Sequence, residues 1–418
     1  MFRYTLLAVT VTVLLAGCTT STDVEELTYT ACEDGSADGY PCNNIDLYAH
    51  MTISELLPDS SNSASIRLND IWGWVDPQTA QEYAIIGLTN GVSFVDVSNP
   101  SEPVYIGTLP LSSTGRVSSW RDAKVYENHV YIVADNSRDH GMQVFDLTNL
   151  REFNGTPLIF DESAFYDRIS SAHNIVINEE SGFAYIVGSN GGGETCGGGL
   201  HMVNLADPQN PQFAGCFSDP STGRVGTGYT HDAQCVNYNG PDADYAGNEI
   251  CFGSNETAVS IADVTDKSNP QAISTASYPM YAYVHQGWLS EDHRYFFLND
   301  EWDESRDGMN TQTYIWDLED LDNPEMLGMY EHDTFTIDHN LYTKGSLMYQ
   351  ANYTSGLRIL DIENPEPDAI TTLAYFDTTP DNNRVEFSGL WSVYPYLSGD
   401  KIIVSDMNNG LFILRHSR

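Results

Sequence analysis

Four histidines begin four strand-like segments of this chain. The segments read AHNIVIN, THDAQCV, VHQGWLS and DHNLYTK, and successive members lie more than fifty residues apart. The residues concerned are His173, His231, His285 and His339. Neutral imidazole is a ligand that suits zinc, copper, iron and nickel, and protonated imidazole attracts anions. A repeating fold would bring histidines at such a spacing to one place.

A repeated phrase indicates a fold of that kind. It is a short apolar or alternating run that ends in Asp or Asn and is mostly closed by an Asn-Pro or Asp-Pro turn, which is typical of a β-strand followed by a turn. Seven copies occur, and they are GVSFVDVSNP, GMQVFDLTNL, GLHMVNLADP, TAVSIADVTDKSNP, TYIWDLEDLDNP, GLRILDIENP and GLFIL. Their spacing is close to the period of propeller repeats.

Each copy belongs to a larger unit of four strands. The opening strand carries the histidine where there is one, and a second apolar strand, the repeated phrase and a fourth strand follow. Seven such units predict an all-β fold, a seven-bladed β-propeller with four-stranded blades over residues 45–418. The seventh unit stops after its third strand. We therefore predict that DLYAHMTISELL, residues 46–57, completes the last blade and closes the ring.

Several motifs along the chain also resemble a known family. They are CEDGSADGYPC, NDIWGWVDP, GLTNGVSFVDVSNP, AHNIVIN, CGGGLHMVNLADPQNPQFAGCF, HDAQCVNYNGPD, LNDEWDE and GLRILDI. The repeated phrase resembles the LVIVD repeat, and the chain from about Cys32 resembles the choice-of-anchor B family of bacterial exported proteins. The resemblance implies a propeller fold and a location in the cell envelope. It implies no established reaction, so the activity must be argued from the site.

The opening strands can be aligned position by position. In a propeller the first strand of every blade lines the central channel, so equivalent residues form a ring around the axis. The first aligned position holds Asn69, Arg121 and the four histidines, and the next position includes Asp122 and Asp232. We predict that the four histidines bind one divalent transition metal at the channel mouth, and that these four other residues bind a ligand.

Three interpretations of this ring remain open. Each imidazole could satisfy a hydrogen-bonding group of the neighbouring blade, the histidines could bind a metal, or Arg121 with protonated histidine could bind an anion. A set of four histidines from successive propeller blades is similar to the iron site of carotenoid cleavage oxygenases. That likeness is one of fold alone.

An acidic stretch offers a second candidate metal site. The sequence NDEWDESRDG runs from Asn299 to Gly308 between two strands of the fifth unit. Carboxylate oxygens close together suit Ca²⁺, and the predicted ligands are Asp300, Asp303 and Asp307. The spacing is not that of an EF-hand loop, and a solvated acidic loop is the competing interpretation.

Residues 1–18 predict a lipoprotein signal peptide. Arg3 precedes the apolar run LLAVTVTVLLAG, and LLAGC resembles a bacterial lipobox. That resemblance implies cleavage before Cys18, a diacylglycerol on its thiol, and acylation of the new amino terminus with a fatty acid such as palmitate. More than one acyl chain gives stable anchoring. Thr19 after the cysteine implies transfer to the outer membrane, with residues 19–44 as a tether that contains a small disulfide loop.

Six further cysteines are an even number in a chain predicted to be exported, which indicates disulfides. The first pair closes the tether loop, the second links the third and fourth strands of blade three, and the third links the first two strands of blade four. The predicted pairs are Cys32–Cys42, Cys196–Cys216 and Cys235–Cys251.

The charge balance restricts the partners. The chain has 59 acidic and 18 basic residues, which gives a formal net charge of −41. Nucleic acid and electrostatic docking to anionic lipid headgroups are therefore not expected. We expect a monomer that contacts the membrane through the lipid at Cys18 and binds an envelope protein or a polysaccharide.

Together these features predict a binding or scaffold module that is anchored in the envelope and works through its axial face. The alternative is a metal-dependent enzyme, an oxidoreductase or a lyase, that uses the four histidines as ligands. The metal content of the purified protein distinguishes the two functions.

Overall fold

The structure is a computed structural model that describes residues 27–57 and 65–417. It contains seven antiparallel sheets, each with a core of four strands. The first strands of successive blades contact one another, and the first strand of blade seven contacts that of blade one. The ring is therefore closed, and the prediction of a seven-bladed β-propeller is confirmed.

The strands follow the chain order of the repeated units. Before blade one lie β1 (Ser36–Ala37), β2 (Tyr40–Asn43), β3 (Ile45–Met51) and the helix α1 (Ile53–Leu56). Blades one and two comprise β4 (Leu68–Val75), β5 (Glu82–Leu88), β6 (Gly91–Asp96), β7 (Val104–Pro110), β8 (Arg121–Tyr126), β9 (His129–Ala134), β10 (Met142–Asp146), β11 (Leu158–Ile159) and β12 (Ala164–Tyr166). Strand β11 pairs in parallel with β7 at the edge of blade one.

Blades three to five have four strands each. They are β13 (Asn174–Asn178), β14 (Phe183–Val187), β15 (Leu200–Asn204), β16 (Gln212–Phe217), β17 (Asp232–Asn237), β18 (Glu249–Ser254), β19 (Val259–Asp263), β20 (Gln271–Ala276), β21 (Val284–Leu289), β22 (Tyr295–Asp300), β23 (Gln312–Asp317) and β24 (Glu325–Glu331). A second short helix, α2 (Asp303–Asp307), connects β22 to β23.

Blades six and seven complete the ring. Their strands are β25 (Leu341–Lys344), β26 (Leu347–Ala351), β27 (Leu357–Asp361), β28 (Thr371–Phe376), β29 (Leu390–Tyr394), β30 (Lys401–Asp406) and β31 (Gly410–His416). Two 3₁₀ turns, Leu147–Glu152 and Cys196–Gly198, lie in blades two and three. Within the described ranges, none of the helices is long and apolar enough to cross a bilayer.

The aspartate that ends the repeated phrase turns the chain after the third strand of a blade. The Oδ1 atom of Asp96 accepts a hydrogen bond of 2.9 Å from the backbone nitrogen of Ser98, and Asp263 does the same with Thr265. An aspartate that bonds to the backbone two residues ahead mimics a backbone turn. In six of the seven copies the closing Asp or Asn makes this bond and therefore marks where the third strand ends.

Strand β3 closes the propeller, as predicted. It pairs antiparallel with β31, the last strand of the chain, and Leu47 lies opposite Leu414. The prediction extended this strand to residue 57, and that part is wrong because Ile53–Leu56 is a helical turn. Leu56 is nonetheless buried in the same hydrophobic cluster as Met51 of β3. Because both a strand and a helical turn can bury an apolar residue at this position, the sequence pattern did not distinguish them.

The three predicted disulfides are present. Cys32 bonds to Cys42, Cys196 to Cys216, and Cys235 to Cys251. The last pair joins residues directly opposite each other on β17 and β18. Three disulfides are consistent with an exported protein.

The predicted tether contributes two of the described strands. Strands β1 and β2 form a hairpin, and Cys42 of β2 pairs with Phe376 at the outer edge of blade six. The backbone nitrogen of Cys32 also donates to Asp46 of β3 over 2.9 Å. Cys18 and the signal peptide lie outside the described residues.

Candidate metal and ligand site on the propeller axis

The four predicted histidines lie side by side at the starts of the inner strands. The ring centroids of His173 and His231 are 4.1 Å apart, those of His231 and His285 4.3 Å, and those of His285 and His339 4.7 Å. Successive blades thus place one imidazole each along an arc around the channel.

Within the described ranges, three of the imidazoles make their hydrogen bonds through Nδ1 alone. Nδ1 of His231 lies 3.1 Å from the carbonyl oxygen of His285, and Nδ1 of His339 lies 2.5 Å from that of Trp391. Nδ1 of His173 lies 3.0 Å from a carboxylate oxygen of Asp135. These oxygens can only accept, so Nδ1 carries the proton in a neutral ring and the lone pair is on Nε2. A histidine that binds a metal usually donates its other ring N–H to a carbonyl or carboxylate oxygen in this way.

His285 differs from the other three histidines. It is buried, and neither of its ring nitrogens has a hydrogen-bond partner among the described residues. The carbonyl oxygen of His339 lies near its ring, but the contact falls short of hydrogen-bond geometry. A buried polar group without a partner costs about 1–3 kcal/mol, so an additional ligand for Nε2 would be favourable.

Glu301 belongs to the acidic stretch considered for Ca²⁺, and the structure places it with the histidines instead. Its Oε1 lies 3.7 Å from Nε2 of His285 and 3.7 Å from Nε2 of His339, and it accepts a hydrogen bond of 2.9 Å from the Tyr353 hydroxyl. Glu301 directly follows β22, whose last residue pairs with Val284. The antiparallel pairing therefore brings it beside His285. Its position directly after the second strand of blade five, which pairs with the strand that carries His285, could have identified it from the sequence.

Burial governs the protonation of this group. It lowers the pKa of His231 and His285 well below the usual value and lowers that of His339 to about 4. It also raises the pKa of Glu301 to about 7. These three imidazoles are therefore neutral near neutral pH, which is the form that binds a metal.

An open cavity of about 500 Å³ lies at the channel mouth, between the histidines and solvent. His173, His231 and Glu301 form part of its lining, and aromatic side chains form most of the rest. The aromatic residues are Trp120, Tyr229, Tyr283, Trp302, Tyr353, Phe387 and Trp391. Trp302 stacks on Tyr283 with 4.8 Å between ring centroids, and the Arg224 guanidinium lies 4.1 Å from the Trp302 ring.

A small chamber of about 20 Å³ lies on the inner side, between the histidines and the rest of the channel. All four histidines line it, together with Asp122, Lys124 and Asp232. A volume of roughly 10–15 Å³ is enough for one water. The chamber therefore has room for a water or an ion of similar size.

One segment of the chain matches a known repeat. Residues 80–109 match the LVIVD repeat. The match covers β5, β6 and β7, so this LVIVD repeat corresponds to the three outer strands of blade one. A propeller fold with LVIVD repeats is typical of a binding or scaffold module.

Three solved structures are similar to most of this chain, and all are distant from it in sequence. A protein from Lactobacillus plantarum covers 82% of this chain and 88% of its own, with 11% identity and a TM-score of 0.50. A functionally unknown protein from Desulfotomaculum acetoxidans covers 83% and 88%, with 10% identity and a TM-score of 0.49. The computationally designed Ika8 protein covers 83% of both chains, with 8% identity and a TM-score of 0.48. No match to this chain is found among the curated proteins.

The structure does not bring the two predicted ligand-binding residues of blades one and two into the aromatic cavity. Asn69 is buried and donates to the carbonyl of Ser119 over 3.2 Å. Arg121 is buried between blades, where Nε donates to the Leu88 carbonyl over 3.0 Å and Nη1 lies 2.6 Å from Nε2 of His140. The alignment of Arg121 with the four histidines did not predict that its side chain would turn away from the channel.

The two predicted aspartates lie in the inner chamber. Asp122 accepts a hydrogen bond of 2.7 Å from the backbone nitrogen of Ile175, which links blade two to blade three. Asp232 accepts from the backbone nitrogen of Ala233 over 2.7 Å, and burial raises its pKa to about 7. Both carboxylates lie on the opposite side of the histidines from the aromatic cavity.

The three predicted calcium ligands do not converge. Asp300 accepts 2.6 Å hydrogen bonds from the backbone nitrogens of Ala282 and Tyr283, so it holds the turn that precedes β21. Asp303 accepts a hydrogen bond of 3.0 Å from the Tyr314 hydroxyl, and Asp307 is paired with Arg306. Among the described residues these three carboxylates form no metal-binding group. The acidic stretch is thus used for protein contacts.

Lys124 is a buried cation of the channel that the sequence did not single out. Its Nζ lies 2.9 Å from Asp70 and 2.5 Å from Asp122. Burial disfavours the charged form of all three groups. The attraction of Lys124 and hydrogen bonds nevertheless lower the pKa of Asp70 below its usual value. The pKa of Asp122 stays well above its usual value, because burial outweighs these contacts. About one of the two carboxylates is therefore ionised, and the Lys124 ammonium balances its charge.

Replacing Lys124 with methionine should cost about 3–5 kcal/mol of unfolding free energy, because two buried carboxylates lose their cation. Without Lys124 the folded-state pKa of Asp70 should rise above its unfolded value, and that of Asp122, which is already raised, should rise further. A raised carboxyl pKa gives stability that is lost as pH rises. The deficit should be large at pH 8 and shrink toward pH 4, as measured by denaturant unfolding. An equal deficit at both pH values would contradict this account.

Proposed function

We propose that the protein is a lipid-anchored choice-of-anchor B protein whose axial cavity binds an envelope ligand above a bound divalent transition metal. The observation that carries the proposal is the convergence of Glu301, His285 and His339 beneath an aromatic cavity, with all three side chains buried. His231 and His173, next along the arc, would add ligands or orient the ones present.

The donor set suits this role chemically. Two imidazole nitrogens and one carboxylate oxygen are ligands for zinc, iron and related divalent ions. Ligand atoms 2.0–2.1 Å from a tetrahedral ion lie about 3.3 Å from one another. The 3.7 Å distances from Glu301 to the two imidazoles are only a few tenths of an ångström longer. All three ligand atoms lie within 4.8 Å of one another, so inward movements of up to about 1.5 Å between them would complete the site.

The cavity above the site supports a sugar chain as the ligand. Trp120, Trp302 and Phe387 are exposed at its rim and offer flat apolar faces on which a pyranose ring can stack. A concave site with aromatic walls and a few polar groups at its floor is the usual form of a small-ligand site. A polysaccharide of the envelope would present such rings one at a time.

A second candidate function is a metal-dependent oxidoreductase or lyase. Two histidines and one carboxylate leave coordination positions open, as in non-haem iron enzymes. A substrate could be held in the aromatic cavity, which Glu301 lines. A redox metal at one equivalent with turnover of a substrate would favour this function over a binding module.

The proposed anchor is the lipid on Cys18. The three disulfides support passage through an oxidising compartment, and the apolar run before Cys18 supports export. The variant Cys18→Ser should lose the acyl chains and be absent from the outer-membrane fraction of fractionated cells, as followed by fatty-acid labelling and immunoblotting. Retention of this variant in the outer-membrane fraction would contradict lipid anchoring.

The function is tested with full-length protein that has been stripped with a chelator. Titration with Zn²⁺ or Co²⁺ should show one tight site per chain, and the loaded protein should be retained on immobilised envelope polysaccharide. The stripped protein is expected to be retained less, because its cavity floor would lack the ion. A chain that takes up no metal, or one retained equally in both states, would overturn the proposed site.

A further inference from the structure

The channel has a second mouth at the other ends of the inner strands. A cavity of about 340 Å³ opens there, and it is separate from the aromatic cavity beside the histidines. Its lining includes the strand-end residues Ile177 and Val236, whereas the histidines lie at the strand starts. Four residues of strand separate His173 from Ile177, or about 13 Å at about 3.3 Å per residue.

Five aromatic rings form a connected box at this second mouth. Trp72 contacts Tyr394 with 4.9 Å between ring centroids, and Tyr394 contacts Tyr396 at 5.3 Å. Tyr342 contacts Trp72 at 5.7 Å and Trp288 at 4.9 Å. All except Tyr342 line the cavity and are partly exposed. The negative faces of such rings attract cations.

The charges around the box favour a cation as well. Glu179 and Glu180 line the cavity and are exposed. Lys124 reaches the floor, where its Nζ lies 4.5 Å from the centre of the Trp72 ring. It is held there by Asp70 and Asp122, so it adds no uncompensated positive charge. The ammonium of Lys124 also shows that one wall of the box already contacts a cation.

We propose that this second mouth is a binding site for an organic cation, namely a quaternary or methylated ammonium group. Such a group matches aromatic walls through cation–π contacts and apolar methyl surfaces. The glutamates at the rim supply the opposite charge. An anionic ligand does not fit, because the one cation at the floor is already paired with two carboxylates. The site is independent of the proposed metal and faces the opposite side of the propeller.

The test uses choline as the probe and the full-length protein in a non-ionic detergent. Isothermal titration or tryptophan fluorescence should show saturable binding of choline. The neutral isostere of choline, in which carbon replaces the quaternary nitrogen, should bind about tenfold more weakly because it lacks the cation–π contact. Raising the salt concentration should weaken choline binding, because the rim carboxylates are exposed.

Three variants locate the probe. Trp288→Leu should weaken choline binding about tenfold or more through loss of an aromatic wall. Glu179→Gln, a surface change that leaves the core intact, should weaken it about threefold. The matched control Trp302→Leu removes a tryptophan from the cavity beside the histidines and should leave choline binding unchanged. Unfolding midpoints are measured for each variant to show that it is folded.

Three results would overturn the proposal. The first is the absence of saturable choline binding. The second is equal affinity for choline and its neutral isostere, which would indicate a purely apolar site. The third is loss of binding in Trp302→Leu with retention in Glu179→Gln, which would place the cation on the other side of the propeller.

Discussion

Replacing His285 with alanine is expected to lower the affinity for Zn²⁺ or Co²⁺ by at least about 100-fold, since even loss of a residue that only orients a metal ligand costs 10–100-fold. The side chain makes no hydrogen bond with the described part of the protein, so the variant loses no such bond. Glu301→Gln should have a comparable effect on metal affinity. Its amide oxygen can still accept from the Tyr353 hydroxyl, but the anionic ligand is gone.

Two measurements separate metal binding from a purely structural ring of histidines. The first is metal content after dialysis against a trace of metal. The second is the rise in unfolding free energy when metal is added, which is about 2.7 kcal/mol at a metal concentration 100 times Kd. The parent should gain this stability and both variants should not. A hydrogen-bonded ring predicts no gain in any of the three proteins.

A matched histidine outside the ring serves as the control. His50 lies in the closing strand β3, where its Nε2 is 2.6 Å from the carbonyl oxygen of Asn409. His50→Gln should leave metal content at the parent's value. Equal metal loss from His50→Gln and His285→Ala would mean that metal binding is not specific to the axial group.

The ring of blades could be predicted from the sequence because each copy of the repeat forms the same four-stranded unit. The phrase ending in an aspartate turn recurs, and each copy places a strand between the same neighbours. The disulfide Cys235–Cys251 followed from the same reasoning, since the two strands are adjacent and the register places the residues opposite each other. The closing strand β3 was found as the one strand the last blade lacked.

The candidate site could be predicted only in part. Its position on the axis follows from the alignment of inner strands, which brought the four histidines together. Glu301 could not be assigned by alignment, because it belongs to a different strand end and its sequence neighbours are acidic. Only the antiparallel pairing of β21 with β22 places it beside His285.

Side-chain direction limited the remaining predictions. Arg121 occupies the position equivalent to the histidines, but its longer side chain reaches the Leu88 carbonyl between two blades. Lys124 was overlooked because a lysine in a strand usually faces solvent. Here Asp70 of the neighbouring inner strand and Asp122 of its own strand hold it inside the channel. Such pairings depend on three-dimensional register that spacing alone does not give.

Replacing strand β3, Ile45–Met51, with a glycine–serine segment of the same length should abolish cooperative unfolding of the propeller. The strand buries Ile45, Leu47 and Met51, and each such side chain contributes about 1.5–3 kcal/mol. Their combined loss, roughly 5 kcal/mol or more, is comparable to the whole stability of a typical domain. Removal also exposes the unpaired backbone edge of β31, which favours aggregation.

The matched control makes the same replacement in β11, Leu158–Ile159. This strand also lies at a sheet edge, but it pairs outside the four-stranded core of blade one, and Ile159 is 81% exposed. It should therefore leave the unfolding midpoint nearly unchanged. Urea unfolding followed by tryptophan fluorescence, with size-exclusion chromatography for aggregates, compares the two proteins. Because β3 joins the start of the propeller to its last strand, its loss should release both ends of the ring. A β3 replacement that stays monomeric and unfolds at the parent's urea midpoint would show that the ring is held closed by contacts between the inner strands alone.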